Sequence, residues 1–585
     1  MITLLDQQID HAMKLFANDQ RQKALDVLLK VVEEHPDKAN AVHGLAMMYL
    51  NLDRPDEALP FLERSVELEP NNPVYYCNFG AYWTRINEHE KSLVQLFKAL
   101  ELKPDYTDAM LNIGHVMSML GRFDEAIEWA TKASAIVPGD EQLTMNLYTY
   151  LRDQDFEKGF KFLREKLSQY DRPHFWRVVC SDSLYSDQIT EQEVDDLHFE
   201  LGKKVANIAP TRRYLAKPDP DRKIRIGFLS SDLRRHSVSF FLLEWLRHLD
   251  KEKFDVVFYL AMGAPDDITE LYREVGKVEI AMVSKIQSLV NLVYNDKIDI
   301  LYDLNGLTIG GRPDVMAVKP APIQVSAIGY AHSLGLERMD YRLADWITDP
   351  EGSEAHYAEK LARVDGCFLC YGILDPLPDI EDTPDRPVIF GSFNNHLKIN
   401  RTTVKLWADV VKANPGCILL LKALGLRHPP IRKAVTGWFE AEGVTDQLRI
   451  LEPQDEVVAH QAMYREIDIT LDTFPYNGTT TTMESLLMGV PVITLEGKVH
   501  RGRVSSSLLQ NAGLGENVAR SPEEFVRIAS NAAKNIDSLR TGKRALREKI
   551  KSSPLFDAQA YADKMGAFME KAWRDYCAGQ GAGSR

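Results

Sequence analysis

The chain has 585 residues, 45% hydrophobic and 26% charged, with a formal net charge of −15. That length exceeds what one hydrophobic core organises and predicts about three to four domains, while the composition excludes a mainly disordered chain and the acidic balance excludes a general nucleic-acid binder. No apolar run approaches the roughly 18 residues of a membrane helix, no basic-then-apolar leader opens the chain, and six scattered cysteines fit a reducing, cytoplasmic setting.

The first third repeats. Pro36, Pro70, Pro104 and Pro138 stand 34 residues apart, and twelve residues before them stand Ala24, Ala58, Ser92 and Ala126. Twelve residues earlier again come Ala12, Ala46, Gly80 and Gly114. Small residues at fixed spacing let two helices pack closely, and a proline ends the second, because it lacks an N–H and its ring clashes with the preceding turn. Asp19, Asp53, Asn87 and Gly121 fall between the helices, where short polar residues or glycine suit the backbone. This is the tetratricopeptide pattern. A fifth, less regular unit runs from Glu141 to near Pro173. Such units stack into a solenoid whose concave face is lined by each first helix. There Asn78, Asn112 and Asn146 recur at the same period, and their amides offer both donor and acceptor to an extended peptide backbone. The bland alternative is asparagine on a wet helix face.

After a connecting stretch punctuated by Pro210, Pro218 and Pro220, short apolar runs alternate with helical stretches. Residues 223–229, 254–260, 298–304 and 323–328 are predicted strands of one parallel sheet. The pattern restarts with 388–393, 417–422, 448–451, 468–472 and 492–495, beyond a Pro- and Asp-rich hinge over 376–387. Two such halves in tandem leave a crevice at the carboxyl ends of their strands, where ligands of doubly wound folds bind. G-x-G-x-x-G and Walker A loops are missing, which argues against a dehydrogenase or a P-loop ATPase. Cys367 and Cys370 form a lone C-x-x-C whose flanks read as a buried strand rather than a metal or redox site.

The most informative stretch is 471–494. A strand ends at Asp472, a turn carries Pro475 and Gly478, and Thr479, Thr480, Thr481 and Thr482 open a helix. Unpaired amides and positive partial charge make a helix start a seat for phosphate, and four threonines exceed what an N-cap needs. Glu484 follows one turn in, placed to take ribose hydroxyls.

This stretch resembles the protein O-GlcNAc transferase family, including its SPINDLY branch and bacterial members. So do Ser230-Ser231-Asp232 with His236, Arg312, residues 319–324, Gly329-Tyr330, Asn394-Asn395 with Lys398, His460, Arg503, residues 553–556 and the final helix through Trp573. The resemblance implies a tetratricopeptide α-solenoid followed by an α/β GT-B transferase of two Rossmann-like domains. It divides the chain into repeats (1–174), a connecting segment (175–222), a first α/β domain (223–380), a second with a final crossover helix (381–577) and a tail (578–585).

It also implies an inverting glycosyltransferase that needs no cofactor or metal. Its donor would be a nucleotide sugar, UDP-GlcNAc first, and its acceptor a protein or peptide. Lys398 would neutralise the departing diphosphate, and His236 would face the acceptor as base or orienter. Asn394, Asn395, Gly478, the Thr479–Thr482 turn and Arg503 would hold the donor, with His460 against its base and Glu484 on its ribose. Thr479 stands where the animal enzymes carry histidine, and Leu307 and the residues after Tyr330 depart from the family near the sugar or acceptor. GDP-fucose, as in the SPINDLY branch, another sugar transferred to flagellin or an adhesin, transfer to a small or lipid-linked acceptor, and a non-catalytic repeat adaptor remain alternatives.

Overall fold

The 34-residue period folds as helix pairs. They are α1 (Leu4–Ala17), α2 (Arg21–Glu34), α3 (Ala39–Asn51), α4 (Pro55–Leu68), α5 (Pro73–Arg85), α6 (His89–Leu102), α7 (Thr107–Met119), α8 (Phe123–Ile136), α9 (Glu141–Gln154) and α10 (Phe156–Lys166). Each repeat proline stands two residues past a helix end, at 34, 68, 102 and 136. Ala12, Ala24, Ala46, Ala58, Ser92 and Ala126 are fully buried. A Cβ on Gly80 would lie 2.6 Å from Leu96 Cγ, so only glycine lets that pair approach. Asp53, Asn87 and Gly121 have φ of 60°, 62° and 71°. That left-handed turn is what Asp, Asn and Gly tolerate.

This computed structural model describes residues 4–17, 20–206, 214–215, 218–281, 285–454 and 456–582; Asp19 and Pro210 lie outside the described residues. The chain forms two compact units, residues 1–163 and 164–585. The second opens with α11 (Pro173–Ser183) and α12 (Glu191–Ala206), two helices in the segment read as a connection.

Its first α/β half contains β1 (Ile224–Ser230), α13 (Ser237–Arg247), β2 (Phe254–Leu260), α14 (Asp267–Val275), β3 (Lys277–Ile280), α15 (Ile286–Asn295), β4 (Ile300–Asp303), α16 (Pro313–Val318), β5 (Ile323–Ser326), β6 (Tyr341–Asp345) and β7 (Lys360–Val364). The sheet order is β3-β2-β1-β4-β5-β6-β7, parallel throughout. The second half contains β8 (Ile389–Ser392), α17 (Arg401–Ala413), β9 (Ile418–Leu421), α18 (Pro429–Ala441), β10 (Leu448–Ile450), α19 (Val457–Ala462), β11 (Ile469–Leu471), α20 (Thr480–Leu487), β12 (Val492–Leu495), α21 (Val504–Asn511), β13 (Val518–Ala519), α22 (Pro522–Lys534), α23 (Ile536–Lys551) and α24 (Ala558–Ala582). Its order is β10-β9-β8-β11-β12-β13, again parallel.

Three expectations change. The stretch around Cys367 and Cys370 is a buried loop and not a strand, because Gly366, with φ of 76°, turns the chain out of β7. Burial pushes both thiols up to about 12, which leaves them protonated and unsuited to metal or redox chemistry. The proposed hinge is strapped along α23: Arg544 Nη1 donates to Asp382 at 2.9 Å and Arg547 Nη2 to the Pro378 carbonyl at 2.8 Å. The strands β3, β6, β7 and β13 were not expected.

The two halves share one apolar core, in which Phe228 and Trp245 belong to the same cluster as Leu486, Leu508 and Trp573. The last helix, α24, returns to the first half: Tyr561 meets Trp245 edge-on at 5.5 Å, and Trp573 Nε1 donates to the Asp219 carbonyl at 2.9 Å. Among the described residues no helix is long and apolar enough to cross a membrane.

Candidate active site

Parallel strands deliver their carboxyl ends to one edge, so the residues after β8, β9 and β11 converge. Asp472, just past β11 and 2% exposed, builds the turn. Its Oδ1 accepts the amides of Gly478 (2.7 Å) and Thr473 (2.9 Å), and its Oδ2 accepts the Thr494 hydroxyl (2.8 Å). The folded-back turn sets Thr479 as N-cap of α20, with no side-chain capping bond. The four threonines then divide. Thr481 Oγ1 donates to Asn394 Oδ1 at 2.9 Å, tying the turn to the end of β8. Thr482 points inward to Ser505 Oγ at 2.9 Å and is a packing residue. Thr479 and Thr480 lie at the partly open start of the helix, beside first-turn amides that have no intrahelical acceptor.

Lys398 follows β8 in a short turn capped by Asn395, whose Oδ1 accepts the Leu397 amide at 3.1 Å. Its Nζ donates to the Asn477 carbonyl at 2.6 Å and lies 4.1 Å from the centre of the Tyr476 ring. Burial pushes this ammonium down to about 8, against the opposing pull of Asp472. The cation therefore sits beside the turn that leads into α20, with no carboxylate at salt-bridge distance among the described residues.

From two helices nearby, His460 in α19 places Nε2 3.3 Å from Oε2 of Glu484 in α20. Tyr464 OH donates to the same oxygen at 3.4 Å. Sequence reasoning missed Lys422, at the end of β9, whose Nζ lies 2.7 Å from His460 Nδ1. The available signal was a charged residue closing an apolar strand. Arg503 reaches the Ile347 carbonyl at 2.6 Å, the Gly497 carbonyl at 3.0 Å and Glu496 at 3.2 Å. It thus clasps the two α/β halves together.

In the first half, Asn305 organises the end of β1, and it too was missed. Its Oδ1 accepts from the Ser231 amide (2.7 Å) and Ser230 Oγ (3.0 Å), and its Nδ2 donates to Asp232 Oδ2 (2.6 Å). His236 caps α13: its Nδ1 accepts the Val238 amide at 3.3 Å and lies 3.7 Å from Asp232 Oδ2. Burial lowers its pKa, with Asp232 opposing. With Nδ1 accepting, the neutral ring carries its proton on Nε2, the form that donates a hydrogen bond rather than takes a proton.

In the first half a Cβ on Gly306 would lie 2.4 Å from Tyr330 Cβ, and beside Lys398 the rings of Tyr185 and Tyr476 pack at 5.2 Å. In the repeats, Asn78 Nδ2 lies 3.0 Å from His43 Nε2, Asn112 Nδ2 donates to Cys77 Sγ at 3.3 Å, and Asn146 Oδ1 accepts from Gln142 at 2.9 Å. Two of the three asparagines thus reach back to the preceding repeat.

Two parallel α/β domains with a cation and a helix start at their strand ends, preceded by helical repeats, have the architecture of a GT-B protein with a tetratricopeptide array. The model of glycosyl transferase family 41 matches residues 199–373 and 379–565, and the chain belongs to that family. A tetratricopeptide-repeat model matches residues 15–76. The chain is 35% identical over 377 residues to the Arabidopsis thaliana protein named "Probable UDP-N-acetylglucosamine--peptide N-acetylglucosaminyltransferase SPINDLY", covering 62% of this chain and 41% of that protein. It is 30% identical over 377 residues to the Arabidopsis thaliana protein of the same description named SEC, covering 61% and 38%. The chain thus spans about two fifths of the length of these curated relatives. A solved structure of a mutant Thermobaculum terrenum O-GlcNAc transferase superposes with a TM-score of 0.76 at 29% identity, covering 87% of this chain and 98% of that one.

Proposed function

We propose that this chain transfers N-acetylglucosamine from UDP-GlcNAc, with inversion and without a metal or cofactor, to serine or threonine hydroxyls of protein acceptors held by its repeats. The observation that carries the reading is the Lys398 ammonium, fixed 2.6 Å from the Asn477 carbonyl at the start of α20. It lies where a diphosphate would gain negative charge. As the acceptor oxygen bonds to the sugar C1, the bond from C1 to the β-phosphate oxygen breaks and UDP leaves with the electron pair. Lys398, the first-turn amides and Thr479–Thr480 stabilise that charge. Asn394 and Asn395 set the lysine turn, His460 lies against the base and Glu484 takes the ribose. His236, carrying its proton on Nε2, orients the acceptor hydroxyl, whose proton leaves to water as the new bond forms. The names of the relatives support this donor and a peptide acceptor.

The test is release of UDP and of GDP from UDP-GlcNAc and GDP-fucose, with and without a serine-rich peptide pool, followed by mass spectrometry of the peptides. Addition of one N-acetylhexosamine to the peptides, with UDP release, is expected. Turnover of GDP-fucose alone would replace the donor, and turnover of neither would favour a repeat adaptor.

A further inference from the structure

Among the described residues two lysines are buried, Lys543 at 4% exposed and Lys422 at 2%. Lys543 donates to the Ile467 carbonyl on the far side of the sheet from the strand ends. Lys422 likewise reaches a backbone carbonyl, but its shorter contact is to an imidazole nitrogen. It follows Leu419–Leu421 of β9, where a methionine would fill the same space, and its ammonium meets no carboxylate at salt-bridge distance among the described residues. Its surroundings are His460 Nδ1 at 2.7 Å, the His460 carbonyl at 3.4 Å, and the ring faces of Phe393 at 4.1 Å and Tyr464 at 5.8 Å. A cation held this way lowers stability relative to an apolar side chain, so its reason lies in what it touches.

An ammonium only donates hydrogen bonds. His460 Nδ1 must therefore accept, and the neutral imidazole carries its proton on Nε2. That nitrogen faces Glu484 Oε2 at 3.3 Å, an acceptor. Donors and acceptors match along the whole row, from Lys422 through His460 to Glu484. Reversing the ring would set a carbon against the ammonium, and the other tautomer would set N–H against N–H. One side chain thus fixes the tautomer and the plane of the histidine. With His460 and Tyr464 on Oε2, it also presents the other oxygen of Glu484.

We propose that Lys422 is a positioning residue of the donor site: as an ammonium it locks His460 in its Nε2–H form and holds the surface on which the nucleotide base is to lie. The inference rests on the donor reading above. It predicts that affinity for the nucleotide, rather than the rate of sugar transfer, depends on this lysine. It also predicts a pH dependence. The groups facing Lys422 are His460 from α19, Glu484 from α20, Tyr464 from the turn after α19 and Phe393 from the end of β8. Burial pushes its ammonium down to about 7, with Glu484 opposing. The charged form is present below that pH and is lost above it, so nucleotide binding weakens as pH rises through about 7.

The experiment is calorimetric titration of the full chain with UDP and with GDP at pH 6.5 and 8.5, on wild type, Lys422→Met and Lys422→Arg, with thermal melts to confirm folding. Donor KM and kcat are measured alongside. Lys422→Met is expected to weaken UDP binding about 10- to 100-fold, the range for loss of a charged hydrogen bond, and to raise donor KM with kcat little changed. The weakening between the two pH values shrinks in it, since only the part from Lys398 remains. Lys422→Arg, charged at both pH values, restores binding. Unchanged affinity and pH profile in Lys422→Met, or a loss of kcat at constant KM, would overturn the inference while leaving the donor reading intact. A wild type that binds neither nucleotide would overturn both.

Discussion

Replacing Lys398 by methionine removes a charge and keeps the length of the side chain. In the free protein the ammonium is held by the Asn477 carbonyl at 2.6 Å and is pushed down to about 8 by burial. At pH 7 most molecules therefore carry the charge. A preorganised donor aimed at a departing anion contributes about 3–4 kcal/mol, or roughly 10²–10³ in kcat. Lys398→Met should lose that factor in kcat, with donor KM changed less, because the charge it meets grows only as the bond to the diphosphate breaks. The pH profile supplies a second check. The active form is protonated, so kcat/KM should fall as pH rises through about 8. In kcat the step should move higher, because the bound diphosphate favours the ammonium. Donor hydrolysis and peptide transfer between pH 6 and 10 measure both. A Lys398→Met variant that keeps full turnover, or keeps the step near 8, would refute the argument.

Asp472→Ala should destabilise the second half by about 1–3 kcal/mol, because the amides of Gly478 and Thr473, which share its Oδ1, lose their acceptor; urea unfolding followed by tryptophan fluorescence reads it. Gly80→Ala should lower the stability of the repeat unit by about 1–3 kcal/mol, since the new methyl lies 2.6 Å from Leu96; hydrogen exchange should show the loss in α5 and α6 and leave β8 and β11 protected. Stability of the free protein should rise with pH between about 7 and 10, since Lys422 and Lys398 titrate near 7 and 8 when folded and near 10.5 when unfolded. The unfolded chain binds more protons in that window, so the slope is positive. Lys398→Met with Lys422→Met should flatten it, and an equally steep slope in the double variant would contradict the two lysines as its source.

The repeats were legible because their constraints are local. Glycine at 80, alanine at 24 and 58, and Asp, Asn or Gly at 53, 87 and 121 each answer a steric demand within one helix pair. Strands were legible where an apolar run marks a doubly covered strand, as in β2 and β12. They were hidden where the pattern is mixed: β3 is a partly exposed edge strand, β6 carries the buried Arg342, and β13 has two residues. In the site, the turn opening α20 was readable because its residues are contiguous. Lys422 and Asn305 were not, since each is one polar residue ending one strand. Their meaning depends on sheet order, which sets β9 beside β8 and β4 beside β1. The threonine run misled in part: Thr482 bonds to Ser505 inside the fold, a partner that no local pattern reveals.

On the proposed reading, the two lysines would answer a common difficulty of binding a diphosphate without a dedicated counter-ion. A cation already paired with a carboxylate has little charge left for a ligand, while an unpaired one inside the fold tends to lose its proton. Lys398 and Lys422 occupy the ground between. Lys398 is held by a carbonyl and lies over a tyrosine ring, and Lys422 is held by an imidazole nitrogen and carbonyl over a phenylalanine ring. Neutral acceptors and ring faces orient an ammonium without cancelling it. The depressed pKa values of about 8 and about 7 follow from that choice. Arrival of an anion should reverse both depressions, so the site gains charge as it fills. On that reading binding and protonation would be one event, and the stability forgone in the empty protein would return as affinity for the donor.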